Sequence, residues 1–255
     1  MRKYLAAAAA LSIVPAAPAA AGTLALQSGA GGTPGSTVTP GDYYFNDGTV
    51  NVRVSAWSID PTGTIRAASI GRYDYGLGVE HSSSGFYSGD GNHTVDNYGW
   101  KDFLVFQFDK SVELVNGTFY SDWDGLWDTD ATIGSGNAFS PYTTAPALAG
   151  TSGAGLSALF TLTASNDDTG NASGSPDFNV RDINAANTSA KTWLIGASFA
   201  SNYYDGNKDG FKLKTLTYNA APPVPEPSTW ALLILGFGGV GATMRRRKQS
   251  DLAFA

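Results

Sequence analysis

Asp102-Phe103-Leu104-Val105-Phe106-Gln107-Phe108-Asp109 decides the fold class. Successive side chains of an extended segment point to opposite sides, so this run is apolar on both faces. A short apolar run bounded by Asp at either end reads as a strand buried on both sides, as in the core of a β-sandwich. Outward from it, Val112 to Ser121 follows as a second strand. Upstream, Val50 to Ile59 lies between Asp47-Gly48 and Asp60-Pro61, and Thr64 to Ile70 comes after a Gly turn. Downstream, Leu156 to Thr163, Thr192 to Ala200 and Phe211 to Asn219 complete a set of strands joined by Gly- and Asp-rich connections. Phe211, Leu213 and Thr215 alternate with Lys212 and Lys214, which predicts a half-exposed final strand. The expectation is an all-β domain, a β-sandwich of jelly-roll type. Gly134 to Gly155 and Ser165 to Ser175 are poor in apolar residues and are expected to be loops, either mobile or carrying binding groups.

The chain has 255 residues and no cysteine, which excludes a disulfide framework and thiolate chemistry. Stability must come from packing and hydrogen bonds, and from any ions that are bound. Six of the sixteen basic residues sit at the two ends. Between Gly22 and Val224 ten Lys or Arg face twenty acidic residues, a net charge of -10. Such a surface repels phosphate backbones and excludes nucleic acid as an expected partner. Of those acidic residues eighteen are Asp, a bias that suits tight turns and cation-binding loops.

Both ends read as addresses. Met1-Arg2-Lys3, the apolar run Tyr4 to Val14 and Ala19-Ala20-Ala21 have the order of a signal peptide, with signal-peptidase cleavage expected near Ala21. Residues 22–219 would then be the passenger domain, and residues 220–224, Ala-Ala-Pro-Pro-Val, a stiff linker. At the other end, Pro225-Glu226-Pro227-Ser228-Thr229-Trp230-Ala231 precedes an apolar run, Leu232 to Met244, then Arg245-Arg246-Arg247-Lys248 and a short tail, residues 249–255. From Trp230 to Met244 a helix would reach about 22 Å against a hydrocarbon core of about 30 Å. Bilayer thinning, snorkelling Arg side chains and an interfacial Trp230 would close that gap. The basic cluster stays cytoplasmic, which places the passenger across the inner membrane.

Residues 225–248 resemble the PEP-CTERM sorting signal: Pro225, Glu226, Pro227, Trp230 and Ala231 supply the motif, Gly236, Gly238, Gly239 and Gly241 the Gly-rich apolar segment, and Arg245, Arg246 and Arg247 the basic cluster. The resemblance implies recognition by an exosortase, transient membrane anchoring, and a cell-envelope, surface or extracellular destination in a bacterium that makes exopolysaccharide. Gly76-Leu77-Gly78-Val79, His93-Thr94-Val95-Asp96-Asn97 and the stretch from Asp102 to Asp130 resemble a group of exosortase-dependent surface proteins. That likeness implies that His93, Asp96 and Asn97 order a loop.

Two segments carry candidate metal chemistry. Asp205-Gly206-Asn207-Lys208-Asp209-Gly210 places oxygen ligands at alternate positions before a turn-permitting Gly, the pattern a hard cation such as calcium needs. The twelfth position is Leu216 rather than Glu, so the expected site is a calcium loop between strands, not an EF-hand. Asp122-Trp123-Asp124-Gly125-Leu126-Trp127-Asp128-Thr129-Asp130 gathers four carboxylates, Asp122, Asp124, Asp128 and Asp130, which repel unless screened; it is a weaker metal candidate. The plainer reading of both segments is a structural Asp/Gly turn that binds nothing. His81 and His93 lack a third close ligand for zinc, no G-x-S-x-G elbow exists, and Glu80 and Glu113 are the passenger's only glutamates. The expected function is a non-enzymatic surface or matrix protein associated with exopolysaccharide. The alternative is a calcium-dependent carbohydrate-binding module whose sugar platform would use Trp123, Trp127, Tyr203 or Tyr204.

Overall fold

A computed structural model describes residues 20–28, 37–39, 42–81, 93–121, 127–139, 141–166, 178–200, 208–220, 234–241 and 245. Two units separate, Ala19–Ala221 and the two ends of the chain. The first unit is all-β. Its strands are β1 (Ala20–Ala25), β2 (Thr37–Thr39), β3 (Tyr43–Asn46), β4 (Asn51–Ile59), β5 (Ile65–Tyr73), β6 (Gly76–Glu80) and β7 (Val95–Asp96). There follow β8 (Lys101–Ser121), β9 (Trp127–Asp128), β10 (Ala131–Gly136), β11 (Thr161–Ser165), β12 (Phe178–Asp182), β13 (Ala190–Ala197) and β14 (Lys208–Ala220). A 3-10 turn at Gly153–Gly155 and one helical turn, α1 (Leu156–Leu159), lie between β10 and β11.

The deciding stretch is the first half of β8. Along Lys101 to Phe108 it pairs with β4, and along Phe103 to Gln107 with β13. From Val112 to Ser121 it pairs with β14, and from Asn116 to Tyr120 with β12. One strand of 21 residues thus stands where two were expected. The reason lies at Asp109-Lys110-Ser111, which carries no Gly or Pro to break the strand. Asp109 accepts from Asn51 Nδ2 at 2.8 Å and Lys110 Nζ donates to the Thr49 carbonyl at 2.6 Å, so the polar residues tie the extended chain sideways instead of turning it.

Leu104, Phe106 and Phe108 enter the larger apolar cluster with Val54, Trp193, Phe119 and Leu213. On the opposite face Phe103 and Val105 pack with Trp57, Ile65, Leu148, Leu156, Phe160 and Leu194. Residues 141–152 form no strand or helix, as expected of a loop, and together with α1 they pack over this outer face. Leu148 is 1% exposed, Arg53 Nη1 donates to the Thr143 carbonyl at 2.9 Å, and Gln107 Nε2 donates to that of Thr144 at 2.9 Å. The residues expected to form a strand from Leu156 begin instead as α1, and β11 starts only at Thr161. Its Leu156 and Leu159 side chains, three apart, face the cluster as one helical turn allows.

β14 runs antiparallel to β1, with Ala220 opposite Ala20 and Thr215 opposite Ala25. Pairing thus includes Ala20 and Ala21, just upstream of the expected passenger boundary. Lys212 is buried rather than outward-facing, its ammonium 5.1 Å from the Tyr73 ring centroid. In the second unit residues 234–241 are helical, with Ile234, Leu235, Phe237 and Val240 exposed. No helix among the described residues is long and apolar enough to cross a membrane.

Candidate metal centre

The two Asp-rich segments meet at the start of β14. β9 lies parallel to it, with Asp128 beside Asp209, while β7 lies antiparallel on it, with Asp96 opposite Gly210. This register brings Asp128, Asp130 and Asp209 together, each with a carboxylate oxygen within 4.8 Å of the others. All three are buried, Asp209 at 0%, Asp128 at 1% and Asp130 at 3% exposure. The sequence placed these residues in two separate candidates some 80 positions apart; the fold makes one cluster of them.

The surrounding backbone fixes the cluster from several sides. Asp130 N–H donates to Asp128 Oδ1 at 3.3 Å, and Ser198 N–H donates to the Asp130 carbonyl at 3.1 Å. Asn97 Nδ2 donates to the Asp209 carboxylate and, at 3.4 Å, to the Ser198 carbonyl. Arg181 holds the middle of the Asp128-Thr129-Asp130 segment: its Nη1 donates to Thr129 Oγ1 at 2.9 Å and its Nη2 to the Thr129 carbonyl. The guanidinium itself lies 4.2 Å over the Phe119 ring. Sequence reading missed Arg181, because the alternation Phe178-Asn179-Val180-Arg181 marks only a strand. Asp96 serves its own loop, accepting from Thr94 Oγ1 and the Tyr98 N–H at 3.0 Å each.

Asp205, Asn207, Asp122 and Asp124 lie outside the described residues, as do Trp123, Tyr203, Tyr204 and the Trp127 side chain. Pro225, Glu226, Pro227, Trp230, Ala231, Arg246 and Arg247 do so as well, and of the basic cluster Arg245 alone is described, exposed. The donor set of Asp128, Asp130 and Asp209 consists of hard oxygens, which suits calcium and not zinc or copper.

A cavity of about 620 Å³ lies elsewhere, lined by Ile59, Asp60, Lys101, Ser157, Leu162 and Phe199 among others. Its charged groups are committed to the fold. Lys101 Nζ donates to the carbonyls of Phe199 at 2.8 Å and Ala200 at 3.2 Å. Asp60 accepts from the Thr62 hydroxyl, the Thr62 and Thr64 N–H groups and the Arg66 guanidinium. The Thr62 hydroxyl foremost, with the other donors, holds its carboxyl well below the usual carboxylate range.

Comparison with known proteins bears on the tail. The PEP-CTERM protein-sorting motif matches residues 223–248, so the chain carries a PEP-CTERM sorting signal. The motif implies export, a C-terminal sorting signal that anchors in the membrane, and processing by an exosortase. No curated protein and no solved structure matches the chain.

Proposed function

We propose that this is a non-enzymatic surface or matrix protein, cut by signal peptidase near Ala21, sorted by an exosortase and associated with exopolysaccharide, whose passenger is stabilised by calcium. The observation that carries the calcium reading is the convergence of Asp128, Asp130 and Asp209 in one buried cluster. Carboxylates so close and so buried repel one another unless a cation or a proton is shared among them. Asp128 and Asp209 would hold calcium from adjacent strands and Asp130 from the turn into β10, with no disulfide needed to close the domain. Cleavage after Ala21 leaves Gly22 to Ala25 of β1 paired with β14.

Support for a sandwich of jelly-roll type is the passage of β8 from β4 and β13 to β14 and β12 around one apolar cluster. A non-enzymatic role is favoured by the commitment of Asp60 and Lys101 to structural bonds at the cavity they line.

The test is thermal unfolding of the full chain in detergent after chelator treatment, with and without calcium. At a hundredfold excess over Kd, linkage adds about 2.7 kcal/mol, a rise of several degrees. Asp209→Asn and Asp128→Asn should each abolish that rise. A wild-type Tm indifferent to millimolar calcium overturns the calcium reading.

A further inference from the structure

We infer that the outer face of β12, β8 and β14 is a binding platform for an acidic saccharide, with Tyr75 as its stacking surface and Lys214 as its cation. This rests on the exopolysaccharide reading above and gives it a site and a ligand class. Tyr75 stands in the turn between β5 and β6. Its ring lies parallel on that of Tyr120, at 4.3 Å between centroids and 7° between planes. One face is therefore covered, yet Tyr75 is 39% exposed. Tyr75 is thus held by Tyr120 from one side while the residue reaches the surface.

Phe178 continues the platform. It is opposite Tyr120 in the β12–β8 register, its ring 5.0 Å from Tyr120 and 6.5 Å from Tyr75, and it is 43% exposed. Val180, two residues on, shares that face and is 63% exposed. The row is a contiguous apolar strip on a protein otherwise acidic, the kind of patch that marks an interaction site. The C–H face of a pyranose ring stacks on exposed aromatic side chains, and Tyr75 and Phe178 offer them side by side.

Charge decides the kind of sugar. Lys214 Nζ sits 3.9 Å over the Phe178 ring, at the border of the strip. Among the described residues it pairs with no carboxylate. A passenger with a net charge of -10 repels polyanions at long range, so the attraction is local, between the Lys214 ammonium and the carboxylate of one sugar unit seated beside the stacking ring.

The experiment is a titration of the full chain in detergent with polygalacturonate, and with dextran as the neutral probe, at low and high salt. The expected result is binding to polygalacturonate once salt screens the long-range repulsion, with little binding to dextran. Tyr75→Ala should lower that affinity roughly tenfold, while Tyr75→Phe keeps it. Lys214→Gln should weaken it at the same salt concentration, and unchanged Tm values show that these surface variants are folded. Equal affinity of wild type, Tyr75→Ala and Lys214→Gln overturns the proposal. So does dextran binding as tight as polygalacturonate binding, or a concentration-dependent dimer that Val180→Lys abolishes, which would make β12 an edge for a second copy. Cell fractionation separates the two levels: if wild type does not co-sediment with exopolysaccharide, the broader reading fails. If wild type and Tyr75→Ala co-sediment equally, the platform alone fails.

Discussion

Asn97 and Asp209, 112 residues apart in the chain, bind each other by side chain and main chain at once: the Asn97 amide donates to the Asp209 carboxylate, the Asp209 N–H donates to Asn97 Oδ1 at 3.3 Å, and the Asn97 N–H donates to the Asp209 carbonyl at 3.1 Å. Both residues are buried. Asn97→Ala strips two of the three bonds and leaves polar groups at the carboxylate cluster without their donor and acceptor. The expected cost is about 1–3 kcal/mol in chemical denaturation. The calcium-dependent rise in Tm should shrink with it, since Asp209 loses its orientation. An unchanged denaturation midpoint would show that the contact is dispensable.

Asp60 makes stability depend on acid. Its carboxyl is held well below the usual range by the Thr62 hydroxyl, the Thr64 N–H and Arg66, so it stays charged when folded at a pH where the unfolded chain would take up a proton. A depressed pKa adds stability that is fully present above the unfolded value of about 3.9 and is lost as pH falls below it. Asp60→Ala should therefore lower Tm at pH 7, and the gap to wild type should narrow below about pH 4. A gap constant from neutral to acid pH would refute the linkage.

Leu148 tests whether residues 137–160 are a fixed cover. It is 1% exposed within the cluster of Phe103, Val105 and Trp57. Leu148→Ala should cost about 2–5 kcal/mol in urea unfolding, the range of a buried leucine truncation. A cost near zero is what a mobile loop would give.

Two glycines should behave oppositely. A Cβ on Gly78 would run into the main-chain carbonyl of His93, which cannot move without disturbing the strand contact beside it. At Gly155 an added Cβ meets nothing within 4 Å, and φ is an ordinary -72°. Gly78→Ala should lower Tm by many degrees and Gly155→Ala should hold or raise it. Thermal melts of the two variants side by side decide the matter.

Much of the β class was legible because β4, β5, β8, β13 and β14 carry enough apolar residues to reveal themselves. The carboxylate cluster was legible only in halves. Asp209 and the pair Asp128 and Asp130 each stood out by local composition, but their meeting depends on parallel pairing between β9 and β14, which no local pattern encodes. The two strands read into 102–121 merge because Asp109 and Lys110 bond sideways to Asn51 and Thr49, contacts set by tertiary position. Residues 134–155 read as a loop because their few apolar side chains, Phe139 and Leu148 among them, are spaced irregularly; only the outer face of β4, β8 and β13 gives these two a common direction.

The position of β14 has a consequence for the order of events during secretion. This strand bonds to β1, β6, β7, β8 and β9, so the first-made strand and several made midway all wait for the last one. A chain threaded through a membrane from its amino end meets this requirement only when Ala220 has emerged, close to the sorting signal. Until then β1 and the second half of β8 lack the neighbour that joins them, and the polypeptide stays open enough to pass as an extended thread. Completion of the fold thus becomes a report that the whole passenger has arrived on the far side.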